Sequence, residues 1–137
     1  MILRRLGPGD EHVLERLAEQ GPPALAEELL ADERTLFLAA FDGEEAEPVG
    51  FVLAYELLRR HGDPARLFVY EVGVAPTARR RGVATELLRE LGRMARERGI
   101  RHGFVLTNEA NEAAMELYRS LGGVRPNPDD VLFDFDY

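Results

Sequence analysis

Apolar positions recur along this chain at two spacings, and each spacing marks a different kind of element. Ala84, Leu87, Leu88, Leu91, Met94 and Ala95 fall three and four apart, which predicts a long amphipathic helix from Gly82 to about Arg98, ended by Gly99. On its polar face Glu86 can pair with Arg89 and Glu90 with Arg93, each pair worth about 0.2–0.5 kcal/mol. Ala114, Leu117, Tyr118 and Leu121 form the same stripe in a helix from Asn111 to Leu121, closed by Gly122-Gly123. Val13, Leu14 and Leu17 predict a helix from about Glu11 to Gln20, with Asp10 as N-cap and Gly21-Pro22-Pro23 as its break. A shorter helix follows through Ala24 to Ala31.

Between these helices the pattern changes to strands. Ile2 to Leu6 is a short one, stopped by Gly7-Pro8-Gly9. TLFLAAF (Thr35 to Phe41) and PVGFVLAYEL (Pro48 to Leu57) flank a turn rich in Asp, Gly and Glu, as in an antiparallel hairpin. The stretch Leu58 to Arg66, with His61, Gly62, Asp63 and Pro64, reads as an exposed loop. LFVYEVGV (Leu67 to Val74) is apolar on both faces, which predicts a central, buried strand. HGFVLT (His102 to Thr107) is a further strand, and the long helix before it implies a parallel crossover. VLFDFDY (Val131 to Tyr137) alternates apolar and acidic residues, the mark of a half-exposed last strand. The sum is a mixed α/β chain organised as one domain over residues 1–137.

Composition narrows the chemistry. Among 137 residues there is no Cys and no Lys, so all seventeen cations are Arg. Disulfides, thiolate catalysis, P-loop phosphate binding and Schiff-base chemistry are thereby excluded. The lone serine, Ser120, sits late in a helix where a structural role is expected. His12, His61 and His102 are too scattered to suggest a metal site. Carboxylates, Tyr, Asn, Arg and backbone groups are left to carry any reaction. A net charge of −8 disfavours duplex nucleic acid as main partner and is compatible with a cationic substrate. No apolar run is long enough to span a bilayer, and the N-terminus lacks a signal-peptide core, so the expected location is cytoplasmic.

Against that acidic background, ARRRGVATELL (Ala78 to Leu88) concentrates positive charge where a buried strand passes into the long helix. A helix N-terminus offers unpaired N–H groups and the positive end of the macrodipole, so an anion is the expected occupant. Gly82 allows close backbone approach, Ala84 keeps the next position small, and Arg80 and Arg81 add charge-assisted contacts. A merely solvated basic turn is the alternative. It sets arginines against the dipole.

These residues carry a resemblance. Arg79-x-x-Gly82-x-Ala84 resembles the R/Q-x-x-G-x-G/A signature of the GCN5-related N-acetyltransferases, the GNAT superfamily. Asn111-x-x-Ala114-x-x-Leu117-Tyr118 followed by Leu121-Gly122 is similar to their second conserved segment. The resemblance spans essentially the whole chain. It implies a GNAT fold, with a mixed central sheet of about six to seven strands, four helices, and acetyl-CoA in a splay between two parallel central strands. It assigns the cofactor arm to backbone of Val72, Gly73 and Val74, and to Asn111. The pyrophosphate goes to Arg79, Arg80, Arg81, Gly82, Val83, Ala84 and Thr85, and Tyr118 becomes the acid that protonates the departing thiolate. Packing alone is the competing role for Tyr118, which lies on the apolar stripe, and helix capping is the competing role for Asn111.

Glu71 is the one charge inside LFVYEVGV. A carboxylate in a buried strand is costly unless it faces a cleft or has a partner. At the splay, desolvation would make it a working base for the acceptor amine, and a core Arg partner is the alternative. The closer similarity is to aminoglycoside 3-N-acetyltransferases of the gentamicin-modifying type, in which a tyrosine–acid pair stands at the positions of Tyr70 and Glu71. By that resemblance Tyr70, Glu71, Asp129, Asp130, Asp134 and Asp136 bind the cationic substrate, although the last four also read as edge-strand charges. Two stretches depart from the pattern, Thr107 to Glu112 and Gly123 to Pro128. A polyamine, amino acid or peptide amine therefore stays open as acceptor, as does a non-catalytic acetyl-CoA sensor. A homodimer is a further expectation, since dimers are common in that superfamily.

Overall fold

In chain order the elements are β1 (Ile2–Arg5), α1 (Glu11–Leu17), α2 (Ala26–Ala31), β2 (Thr35–Phe41), β3 (Pro48–Leu58), β4 (Ala65–Val74), a 3-10 turn (Pro76–Ala78), α3 (Val83–Glu97), β5 (Gly103–Val105) and α4 (Glu112–Ser120). The structure is a computed structural model that describes residues 1–17, 23–44 and 47–137. The end of the first expected helix (18–20), the Gly21-Pro22 part of its break and Glu45-Ala46 of the hairpin turn lie outside the described residues. Contacts divide the chain into two units, Met1–Leu106 and Thr107–Tyr137.

The first unit is a five-stranded sheet in the order β1-β2-β3-β4-β5. The first four strands pair antiparallel in succession, and β5 joins β4 in parallel after the α3 crossover. Strand parity sorts the core into two layers, because successive side chains point to opposite faces. Leu36, Leu38, Ala40, Val52 and Ala54 face α3 and pack on Val83, Leu87, Leu91 and Ala95. Phe37, Ala39, Phe41 and Leu53 face the other way, onto Leu6, Val13, Leu14 and Leu30 of the α1–α2 layer. Every residue of β2 is therefore buried.

The strand expected to be buried on both sides was β4, and there the structure differs. Its α3 face is covered, yet Arg66, Tyr70 and Glu71 are exposed. The cause is coverage, since α1 packs on β3 and α2 on β2. An apolar run reports side-chain character, and Phe68 and Tyr70 are apolar enough to look like core. Val131–Tyr137 differs as well. It joins no strand, so the sheet holds five strands among the described residues, short of six to seven. Alternation tells which face a strand would bury without telling which edge receives it.

Two local expectations are also refined. Asp10 does not cap α1 with its side chain. Its carboxylate accepts from the Gly7 N–H (2.9 Å) and Arg4 (2.8 Å), while its backbone carbonyl accepts from the Val13 N–H. Both expected ion pairs on α3 form, Glu86 with Arg89 and Glu90 with Arg93. No helix among the described residues is long and apolar enough to cross a membrane.

In the second unit α4 starts at Asn111 and closes where Gly122 adopts φ 90°. Ala114, Met115, Leu117 and Tyr118 are its half-buried positions, which is the predicted stripe with Met115 added. The Ser120 hydroxyl donates to the Leu117 carbonyl (2.7 Å), a structural role as expected. Arg125 pairs with Glu109 (2.7 Å), and the Asn127 amide donates to Asp130 (2.8 Å) across a turn.

Candidate functional site

The register between β3 and β4 slips at one place. Leu53 pairs with Glu71 and Ala54 with Val69, so Tyr70 is an extra residue that opposes nothing. This is a β-bulge, which bends and twists its strand and re-aims side chains. Before it, Leu67 and Val69 point to the α3 core; after it, Val72 and Val74 do. Odd positions give way to even ones. Consequently Tyr70 and Glu71, neighbours in sequence, share the face opposite α3 together with Phe68.

Aromatic rings extend that face. Tyr70 meets Tyr55 edge-on at 5.7 Å and Phe68 edge-on at 5.6 Å, and Phe68 stacks on Phe104 at 4.7 Å. Tyr70 is 57% and Phe104 38% exposed, so the wall is open to a ligand. Burial, then the Tyr70 and Glu71 charges, push the Tyr55 phenol above its ordinary value, which places Tyr55 in the field of Glu71. Glu71 itself is exposed, and no Arg lies within ion-pair distance of it among the described residues. The core-Arg alternative is thereby removed. So is a desolvated setting, because the uncovered face leaves the carboxylate open to water. An exposed carboxylate beside aromatic faces is a surface that attracts ammonium groups.

The bulge also marks where the sheet opens. Parallel pairing of β4 with β5 covers Leu67 to Val69 against Gly103 to Val105 and goes no further, while β4 continues to Val74. From Tyr70 onward that edge has no strand partner among the described residues. Its free N–H and C=O groups are a template for an extended ligand. Gly73 sits in this stretch, and a Cβ there would lie 2.5 Å from the Phe51 ring.

Beyond Val74 the chain turns through Pro76–Ala78 into the α3 N-terminus. The first helical bond runs from the Glu86 N–H to the Gly82 carbonyl, leaving the N–H groups of Val83, Ala84 and Thr85 without helical acceptors. Gly82 caps the helix at φ 77°, with open space where a Cβ would be. Arg80 adopts φ 62°, a left-handed conformation that costs a non-glycine residue about 1–2 kcal/mol. Strain of this sort gathers at ligand loops.

Arg81 donates to both carboxylate oxygens of Asp42 (2.8 and 3.3 Å), which raises its own pKa and lowers that of Asp42. Arg81 thus ties the loop to the end of β2. Arg79 and Arg80 make no ion pair among the described residues.

The remaining candidates lie in the second unit. Asn111 Oδ1 accepts from the Ala114 N–H (3.1 Å), so the capping role is present, and its Nδ2 stays available to donate. Tyr118 is half-buried, and burial pushes its phenol above the ordinary value. Asp129, Asp130, Asp134 and Asp136 are all exposed, with Asp130 engaged by Asn127.

Sequence reasoning missed Tyr55, Phe68, Phe104 and Asp42. The first three read as ordinary strand aromatics, and only their parity relative to the bulge puts them beside Glu71. Nothing local links Asp42 to Arg81, which lies 39 positions away. Among the described residues no cluster of three or more His, Asp or Glu could hold a metal ion.

Residues 8–122 match the model of the acetyltransferase (GNAT) family. Over 104 residues the chain is 31% identical to a streptothricin acetyltransferase of Streptomyces lavendulae, covering 75% of this chain and 51% of that protein. The chain spans about half the length of that curated relative. Among solved structures it is similar to an aminoglycoside acetyltransferase from an uncultured soil metagenomic sample, at 29% identity and a TM-score of 0.84, covering 99% of this chain and 97% of the other. It also shares its fold with AAC(6')-Iy in complex with the bisubstrate analogue CoA-S-monomethyl-acetylneamine, at 20% identity and a TM-score of 0.80, with 99% and 97% covered.

Proposed function

The chain belongs to the acetyltransferase (GNAT) family, and we propose that it acetylates a primary amine of an aminoglycoside, at the 3-amino group. In this reading Glu71 is the general base and Tyr118 the general acid. Acetyl-CoA is the cofactor of the family. The residues present fit it. The open β4 edge from Val72 to Val74 offers hydrogen-bonding backbone to its arm, and the free N–H groups of Val83 to Thr85, with Arg79, Arg80 and the space at Gly82, suit its pyrophosphate. Asn111 Nδ2 is a donor for the same arm.

The observation that carries the proposal is the bulge at Tyr70. It sets an aromatic ring and a carboxylate side by side on an exposed face, at the point where the β4 edge becomes free. When bound, acetyl-CoA supplies an activated thioester carbonyl. The chain's own residues then have proton work to do. Glu71 accepts the proton that the amine gives up, and the phenol of Tyr118, held neutral at physiological pH, keeps its proton for the leaving sulfur. No side-chain nucleophile is required, which agrees with a chain that lacks Cys. The exposed acids Asp129, Asp130, Asp134 and Asp136 add charge for a polycationic acceptor. The two units work as one domain in this scheme, and the assembly we put forward is a homodimer.

The support from relatives concerns acceptors of more than one kind, so the test is a panel. Thiol release from acetyl-CoA should be measured with kanamycin- and gentamicin-type aminoglycosides, streptothricin, polyamines and peptides. Turnover greatest with an aminoglycoside, and product acetylated at the 3-amino group, is the expected result. Turnover only with a polyamine or peptide replaces the acceptor. Cofactor binding without thiol release for any amine would favour a sensor.

A further inference from the structure

Gly50 interrupts an apolar row. It lies on the α3 face of β3, in line with the buried residues Val52 and Ala54, where alternation calls for another core side chain. Its φ is not positive, so backbone conformation does not require glycine there. Space does. A Cβ at Gly50 would lie 2.7 Å from Val83 Cγ1, 3.1 Å from the Gly73 carbonyl oxygen and 3.4 Å from Leu87 Cδ1. Carbon atoms rest about 3.5–4.0 Å apart, so the contact with Val83 is the severe one. Glycine inside a strand weakens it and marks a place where something approaches closely. Here the approaching group is the first residue of α3, which is 2% exposed.

Val83 has a second part in the molecule, because its N–H is one of the three left free at the α3 N-terminus. The loop ahead of it is tied to the same two strands. The Ala75 N–H donates to the Val49 carbonyl (2.8 Å), next to Gly50, and Arg81 donates to Asp42, one residue past β2. Gly50 itself is held from both sides, paired with Ala40 of β2 and with Val74 of β4. The sheet therefore cannot retreat from an added atom. Leu87, Leu91 and Ala95 anchor the rest of α3 in the core, so any displacement falls on its first turn.

We propose that Gly50 is the positioning residue of the phosphate loop. By leaving room for Val83 it seats the first turn of α3 on β3. That sets the height at which the N–H groups of Val83, Ala84 and Thr85 meet the cofactor pyrophosphate. Gly50 touches no ligand and acts through the backbone of another residue. The inference rests on the reading that this loop holds the pyrophosphate of acetyl-CoA, and it adds a determinant of affinity that lies in the sheet.

Calorimetric titration with CoA, well below the melting temperature of each protein, reads this without turnover. In Gly50→Ala the added methyl wedges Val83 outward, and CoA should bind about tenfold more weakly than to the parent. Gly50→Ala/Val83→Ala keeps every backbone N–H and removes the methyl that the wedge strikes. Its CoA affinity should equal that of Val83→Ala alone. A loss that persists in the double variant would place the effect at the Gly73 carbonyl, a contact Val83→Ala does not relieve, and would overturn the inference. Val83→Ile lengthens the same contact from the helix side and should weaken CoA in the same way, which covers a Gly50→Ala chain that does not fold. Unchanged CoA affinity in either variant, once folded, overturns the role of Gly50. A parent that does not bind CoA removes the cofactor reading itself, whereas a parent that binds it while the variants are indifferent removes only the positioning role.

Discussion

Met1–Leu106 seals Leu36, Leu38, Val52 and Leu87 from solvent between two helical layers, whereas no residue of Thr107–Tyr137 is buried. The first unit has strand parity working for it on both faces of β2 and β3. The second has one short amphipathic helix and an extended segment, too little apolar surface to form a core by itself. Yet the candidate chemistry is divided between them, with Glu71 and the phosphate loop in one and Asn111 and Tyr118 in the other. Stability and chemistry need not be drawn from the same residues, and here the second unit is expected to matter for rate far more than for folding.

The largest expected effect tests the stable side of that contrast. Leu87→Ala removes a side chain with no exposure from the core between α3 and the sheet, and should cost about 2–5 kcal/mol in urea unfolding. The matching change Leu117→Ala, at a half-buried position of α4, should cost well under half of that. Equal losses would break the comparison. Next in size, Tyr118→Phe should lower turnover by about 10²-fold, the scale of one lost acid catalyst, with acetyl-CoA affinity nearly intact. Unchanged turnover would remove Tyr118 from the acid role.

A smaller effect is expected at Gly82. Gly82→Ala places a Cβ at φ 77°, costing about 1 kcal/mol of stability, and should weaken acetyl-CoA binding more than it slows turnover at saturation. Calorimetric titration separates the two. Smallest is Asp42→Asn, which frees Arg81. The pair is exposed, so the melting temperature should hardly move. The Arg81 hydrogen bond keeps the Asp42 carboxyl below its ordinary value of 3.8. A depressed acid contributes above its unfolded pKa and loses that contribution as pH falls through the folded one. Whatever small difference separates the parent from Asp42→Asn at neutral pH should therefore persist down to about pH 4 and vanish below it. Convergence already at pH 6 would mean another group is responsible.

Much of this architecture was legible in the residues. The α3 stripe, the β2–β3 hairpin and the parallel crossover follow from spacing alone, and β2 was found with the boundaries the structure gives. Both motifs of the family were visible, because Gly82 and Asn111 occupy positions where backbone geometry dictates the side chain. Other features were not. The bulge at Tyr70 leaves no composition signal, since an extra residue in an apolar run only makes the run look buried on both faces. Coverage by α1 and α2 is decided by helices far away in sequence, so the exposure of Glu71 could not be read from LFVYEVGV. The Arg81–Asp42 tie depends on where a hairpin turn comes to rest. Val131–Tyr137 showed its alternation plainly, and alternation does not name the edge that receives a strand.

One consequence of Tyr70 concerns deletion rather than substitution. The ladder with β3 is complete without it, since Val69 and Glu71 already have partners on either side. A chain shortened by this one residue would keep every core side chain in its present layer and Glu71 on its present face. What it would lose is the local bend and twist at the point where pairing with β5 stops, at Val69 and Val105. The ring that stands beside Glu71 is in this sense one residue deep in the sequence, and a single in-frame codon loss is enough to remove it.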